Sequence, residues 1–167
     1  MKFRKSKTND VKSIMKIINQ AQEFFKNKGI DQWQNGYPNE DTIIGDIKNV
    51  ESYVLEKDGE VVATSMVTFK GEPTYDSIYD GKWLSNNKYA AIHRVAVSNN
   101  HKGLGLSTEI IKCVEQLCVD SGVHSIKIDT HEDNIPMQRV LKKNGFKYCG
   151  IIYVDDSSKR IAFEKLL

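Results

Sequence analysis

Lys102, Gly103, Gly105 and Ser107 fall together in the stretch NNHKGLGLSTEII, residues 99–111. That set suits anion binding. A glycine inside a helix costs about 1 kcal/mol relative to alanine, so glycines here mark a helix start or a place where something approaches the backbone closely. A helix N-terminus presents about four amide hydrogens with no internal acceptor, and the aligned peptide dipoles add roughly half a positive charge. Glycine admits left-handed backbone angles and close approach. Lys102 adds a full positive charge and Ser107 a hydroxyl donor. Together they form a cradle for a phosphate or diphosphate. A Walker loop would need G-x-x-x-x-G-K-[ST], which is absent. A dinucleotide fingerprint would need G-x-G-x-x-G after the first strand, whereas this stretch lies past mid-chain without a third glycine.

The surrounding pattern says what must position the cradle. KFRKS (residues 2–6) reads as a first strand. Thr8 reads as an N-cap for a helix carrying Val11, Ile14, Met15, Ile18, Ala21 and Phe25, stopped by Gly29. A turn-rich connection with Trp33 and Tyr37 leads to a short helix around 42–48. Two β-rich runs flank Asp58-Gly59, a hairpin signal. Residues 71–88 are polar, aromatic and aperiodic, and a loop of that length is more often functional or mobile than incidental. YAAIHRVAV (89–97) reads as the strand that feeds the cradle, and Leu106, Ile110, Cys113, Val114, Leu117 and Cys118 as the helix leaving it, with Gly122 as its stop. HSIKIDT is a further strand. Asn134 caps the next helix, since Pro136 fits only a first turn, and Gly145 closes it. Two closing strands surround 155–158. The order is β-α-α-β-β-β-α-β-α-β-β, with the strands at 89–97 and 124–130 parallel through a right-handed crossover.

The 167 residues suit one domain, 1–167. Net charge is +2, too mild to argue for nucleic acid. No apolar run approaches the roughly 20 residues that a membrane span needs, and no signal-peptide pattern is visible. Cys113, Cys118 and Cys149 have no C-x-x-C spacing and read as reduced, buried thiols of a cytoplasmic protein. No metal-ligand motif stands out.

From 97 to 146 the chain resembles the GNAT superfamily of N-acetyltransferases. In that family a strand leads into R/Q-x-x-G-x-G/A and a helix; a strand, an Asn, a second helix and a Gly-Phe pair follow. Here Val97 ends the strand, KGLGLS fills the loop, Asn134 opens the helix and Gly145-Phe146 closes it. The element order matches along the whole chain. Lys102 stands where Arg or Gln is usual, keeping the charge but not the forked geometry. Leu141 stands where many members carry a tyrosine that protonates the departing thiolate.

The resemblance implies a mixed α/β (α+β) fold. Its central, mostly antiparallel sheet has six to seven strands, with one parallel pair splayed around the cofactor site and helices on both faces. It implies acetyl-CoA as donor and a small-molecule or protein amine as acceptor, with no nucleic acid or membrane partner and with a homodimer left open. The pantetheine arm would pair with the backbone of Val95, Ala96 and Val97, like an added strand. The diphosphate would lie on Lys102, Gly103, Leu104, Gly105, Leu106 and Ser107, with Asn134 and Lys143 as further cofactor contacts. Where the family commonly puts a base, this chain has His93; imidazole titrates near pH 6.5 and can take the acceptor's proton. A structural histidine hydrogen-bonded across the sheet is the other reading. His131 is a second base candidate, and His101 lines the loop mouth. Tyr148 or Tyr153 would stand in for the missing acid. Arg94 would anchor a carboxylate. Trp33, Tyr37, Tyr79 and Trp83, with Tyr75, come from segments that wall the acceptor side in this fold and can grip an ammonium by cation–π contact. Two other readings remain open: a non-catalytic acyl-CoA-binding module, and an unrelated nucleotide-binding protein.

Overall fold

The computed structural model describes residues 1–167. Strands are β1 (Lys2–Lys5), β2 (Ser52–Lys57), β3 (Glu60–Thr68), β4 (Ala90–Val97), β5 (Ser125–Thr130), β6 (Lys147–Tyr153) and β7 (Lys159–Leu166). Helices are α1 (Val11–Lys28), α2 (Glu40–Lys48), α3 (Leu106–Asp120) and α4 (Ile135–Lys143). Seven strands, mostly antiparallel with one parallel pair, and four helices make the mixed α/β fold, in the predicted order.

The chain forms two compact units. The first holds residues 1–67 and 94–110, with strands neighbouring in the order β1-β2-β3-β4. β1 and β3 both run antiparallel to β2. The apolar stripe of α1 (Val11, Ile14, Ile17, Ile18) packs with Ile43 of α2 and with Val54, Val61 and Ala96. Burying each such aliphatic side chain contributes about 1.5–3 kcal/mol. Ser98 N–H donates to Val62 O at 2.9 Å, holding the end of β4.

Thr8 does not cap α1. A 3-10 turn spans Thr8–Asp10 and α1 starts at Val11. Asp10, three residues beyond Lys7, accepts that residue's amide at 2.7 Å and so tightens the first turn. Its carboxylate is also clamped by the Arg4 guanidinium at 2.8 and 3.0 Å. α2 begins before residue 42 because Asn39 caps it: Asn39 Oδ1 accepts Thr42 N–H at 3.0 Å, and Thr42 Oγ1 accepts Asn39 N–H at 3.3 Å.

The second unit holds residues 68–93 and 111–167, with strand order β4-β5-β7-β6. β5 and β6 pair antiparallel with β7, whereas β4 and β5 are parallel over Ala90↔Ile126 and Ala91↔Lys127 alone. The long 71–88 segment is built in rather than loose. It forms a 3-10 turn at Pro73–Tyr75 and bridges Tyr79 to Ile151 of β6. At Gly81 a Cβ would stand 1.9 Å from Cys149 O, so only glycine lets the loop lie this close to β6. Tyr75, Ala91, Ile152 and Ala162 form the core beneath it.

Candidate active site

In the first unit, β4 delivers the chain into a 3-10 turn at Asn99–His101 and then into the glycine loop. Gly103 and Gly105 have φ of +80° and +76°, angles that L side chains rarely adopt. An added Cβ at either would meet nothing within 4 Å, so the space before them is open. Backbone pairing of α3 begins with Glu109 N–H to Gly105 O at 3.1 Å, leaving the amides of Gly103 to Ser107 without a carbonyl partner. Buried His101 Nδ1 has no hydrogen-bond partner either. Lys102 is exposed, and its ammonium rests 4.8 Å from the centroid of the Phe24 ring. Open space, unspent amide donors, a cation and an orphaned imidazole nitrogen suit a diphosphate.

Arg94, in the middle of β4, has a positive φ of 54°. The predicted carboxylate anchor is real, and its partner is internal. Arg94 Nε and Nη2 grip Asp46 Oδ2 and Oδ1 at 2.8 and 2.6 Å, and Nη1 donates to Tyr37 Oη at 2.5 Å. Trp33 packs edge-on against Phe25 with centroids 5.5 Å apart.

In the second unit, His93 Nε2 lies 3.1 Å from Glu72 Oε2. The approach is within ion-pair range but off the line of a hydrogen bond, and Nε2 is buried. Glu72 is fixed from its other oxygen: Oε1 accepts Thr74 N–H at 3.1 Å and Thr74 Oγ1 at 3.0 Å. His93 first, and then the Thr74 amide, hold the Glu72 carboxyl down at about 2, against the opposing effect of burial. The Tyr75 ring faces His93 with centroids 5.9 Å apart. Tyr75 donates to Asp129 Oδ2 at 2.7 Å, and burial, reinforced by Asp129, pushes its hydroxyl well above the usual phenol range.

The five aromatic side chains expected at the acceptor side do not share one set of partners. Trp33 and Tyr37 belong to the first unit. Tyr79 packs on Tyr153. Trp83 donates to Tyr75 O at 2.9 Å, and its face carries the buried ammonium of Lys127, 4.4 Å away, with the Tyr89 ring at 4.2 Å. Burial lowers the Lys127 pKa, with Glu164 opposing.

Asn134 caps α4 as predicted, accepting Met137 N–H at 3.2 Å, and Lys143 is exposed on the same helix. Tyr148 is 51% exposed and touches Phe163 edge-on. His131 Nδ1 is taken by Asp133 N–H at 3.0 Å. The cysteines are free thiols, and burial pushes Cys118 up to about 12, so it is inert. Sequence reasoning missed the pairings of Glu72 with His93, Asp46 with Arg94, and Lys127 with its two rings. None of these has a motif or a periodic signature.

Residues 15–146 match the model of the Acetyltransferase (GNAT) family. A GNAT-family acetyltransferase structure from Streptococcus agalactiae is 36% identical, with a TM-score of 0.89, covering 99% of this chain and 95% of that one. The ribosomal-protein-alanine N-acetyltransferase of Brucella melitensis shares the fold at 15% identity and a TM-score of 0.73, each chain covered in full (100%). The fold is also that of yncA from Salmonella typhimurium, solved with its cofactor acetyl-CoA, at 15% identity and a TM-score of 0.72, covering 100% of this chain and 94% of that one. A search of curated protein sequences returns no match. No helix is long and apolar enough to cross a membrane.

Proposed function

This chain belongs to the GNAT family of acetyl-CoA-dependent acetyltransferases, and we propose that its acceptor is a primary amine of a small molecule or a protein. Bound acetyl-CoA supplies a thioester carbonyl open to attack by that amine. One observation carries the reading for this chain: the amides of Gly103 to Ser107 at the start of α3 have no backbone partner, and a Cβ at Gly103 or Gly105 would meet nothing within 4 Å. With Lys102 they would hold the diphosphate, and the backbone of Val95, Ala96 and Val97 would pair with the pantetheine arm. Asn134 and Lys143 are proposed as further cofactor contacts, and residues 1–167 as one catalytic domain.

Alkylamines have a pKa of about 10.4 and are mostly protonated near neutral pH, so the acceptor must lose a proton before it attacks. His93 is the proposed base. Tyr148, half exposed, is the proposed donor to the thiolate, which at a thiol pKa of about 8.5 is already a tolerable leaving group. Among the aromatic side chains proposed to meet the acceptor, Tyr37 and Tyr79 are the most exposed, at 46% and 52%, with the Arg94 guanidinium over the Tyr37 ring and Tyr153 against Tyr79. Trp33 is partly buried, and the Trp83 face already carries Lys127.

The test is an acceptor screen: polyamines, aminoglycosides, amino acids and protein N-termini incubated with acetyl-CoA and read by mass spectrometry. Acetylation of one class with matching thiol release supports the reading. Binding of acetyl-CoA with no turnover on any acceptor would make the chain a non-catalytic acyl-CoA-binding module.

A further inference from the structure

Glu72 and His93 form a carboxylate–imidazole pair whose geometry divides the labour between the ring's two nitrogens. The Glu72 side chain is locked by its own turn. Oε1 is spent on the Thr74 amide and hydroxyl, which leaves Oε2 pointing at His93 Nε2, 3.1 Å away. The Glu72 backbone is held as well, its N–H donating to Tyr89 Oη at 2.9 Å. Nε2 is buried, so the 18% of the His93 side chain left exposed lies elsewhere on the residue, and Nδ1 is the ring nitrogen not turned to Glu72.

Resting on the reading of His93 as base, we propose that Glu72 is its positioning residue. The carboxylate holds the Nε2 side of the ring, Nδ1 takes the amine proton, and the ion pair stabilises the imidazolium that results. In the step, the amine nitrogen forms a C–N bond to the acetyl carbon as the C–S bond breaks. One amine proton moves to Nδ1, and the departing thiolate takes up a proton from Tyr148, its proposed donor.

The other groups around the ring support this division. Tyr75 meets the imidazole tilted by 40° and spends its hydroxyl on Asp129. Arg94, the next residue along β4, is committed to Asp46 and Tyr37. Lys127 of β5 is committed to Trp83 and Tyr89. Among these neighbours Glu72 alone brings a carboxylate into ion-pair range of His93. Glu72 itself is a poor base, since its carboxyl is held at about 2.

The experiment compares wild type, Glu72→Gln and His93→Ala in acetyl-CoA turnover from pH 5 to 9, alongside NMR titration of the His93 ring, whose signals are identified by their loss in His93→Ala. Removing the negative charge destabilises the imidazolium. Glu72→Gln should therefore lower kcat/KM on the order of tenfold at neutral pH and move the acidic limb of the profile to lower pH. The NMR midpoint should move the same way, and it reads out even if no tested amine is turned over. A limb lost in His93→Ala but unmoved in Glu72→Gln would overturn the positioning role and leave the base in place. A wild-type limb in His93→Ala would overturn both. Coincident NMR midpoints in wild type and Glu72→Gln would also overturn the positioning role.

Discussion

Arg94 and Asp46 meet as a two-pronged ion pair, at 2.8 and 2.6 Å, with only 10% and 11% of their side-chain surfaces exposed. The pair ties the strand residue at positive φ to the last turns of α2. Forked contacts of this kind fix orientation as well as charge.

Removing one partner strands the other. Asp46→Ala should leave a largely buried guanidinium without its carboxylate and destabilise the fold by about 3–5 kcal/mol. Urea unfolding of wild type and variant measures this directly. A loss under 1 kcal/mol would mean that solvent reaches Arg94 freely.

Gly105 tests the cradle. A valine at φ +76° is strained, and its side chain would enter the open space before the amides. Gly105→Val should keep a cooperative unfolding transition but lose CoA binding in calorimetry. Affinity equal to wild type would place the diphosphate elsewhere.

Glu72 should leave a signature in acid stability. Its folded-state value is lowered from 4.5 to about 2, so its stabilisation is complete above the ordinary value and is lost as pH falls from about 4.5 toward 2. A lowering of that size corresponds to at most about 3 kcal/mol. Urea midpoints measured from pH 6 down to pH 2 should fall more steeply for wild type than for Glu72→Gln. Parallel curves would mean that the carboxylate gains nothing from its setting.

Glu164, fully buried on β7, holds the long loop. It accepts Leu84 N–H at 2.6 Å, Ser85 N–H at 3.3 Å, and the hydroxyls of Ser85 and Ser125 at 2.7 Å each. It also stands directly across the ladder from Lys127. Glu164→Ala should cost about 3–5 kcal/mol by leaving those donors unmatched and removing the negative charge that opposes the effect of burial on Lys127. Hydrogen exchange at the Leu84 amide should accelerate more than exchange within α1. Unchanged protection at Leu84 would show that the loop is held by its other contacts.

What could be read from the residues alone was local. The α1 and α3 stripes, the Asp58-Gly59 hairpin, the Asn134 cap with Pro136 and the glycine loop before α3 each depend on neighbours a few positions apart, where chain geometry ties residue type to structure. The Thr8 cap failed because Asp10 competes for the same turn and also has Arg4 to hold it. Arg94 and Asp46 lie 48 positions apart, and nothing in either segment marks the other as its partner. Trp83 shows the same limit from the opposite side. A ring suited to a ligand's ammonium can be recognised by type, but that Lys127 occupies its face follows only from the sheet register that sets Lys127 between Ala91 and Glu164.

The most direct test is an NMR titration of the labelled protein with coenzyme A, following the backbone amides of Gly103 to Ser107. These signals should shift as the site saturates, in step with the affinity measured by calorimetry. Saturable binding that leaves them unmoved would contradict the assignment of the α3 N-terminus as the diphosphate seat.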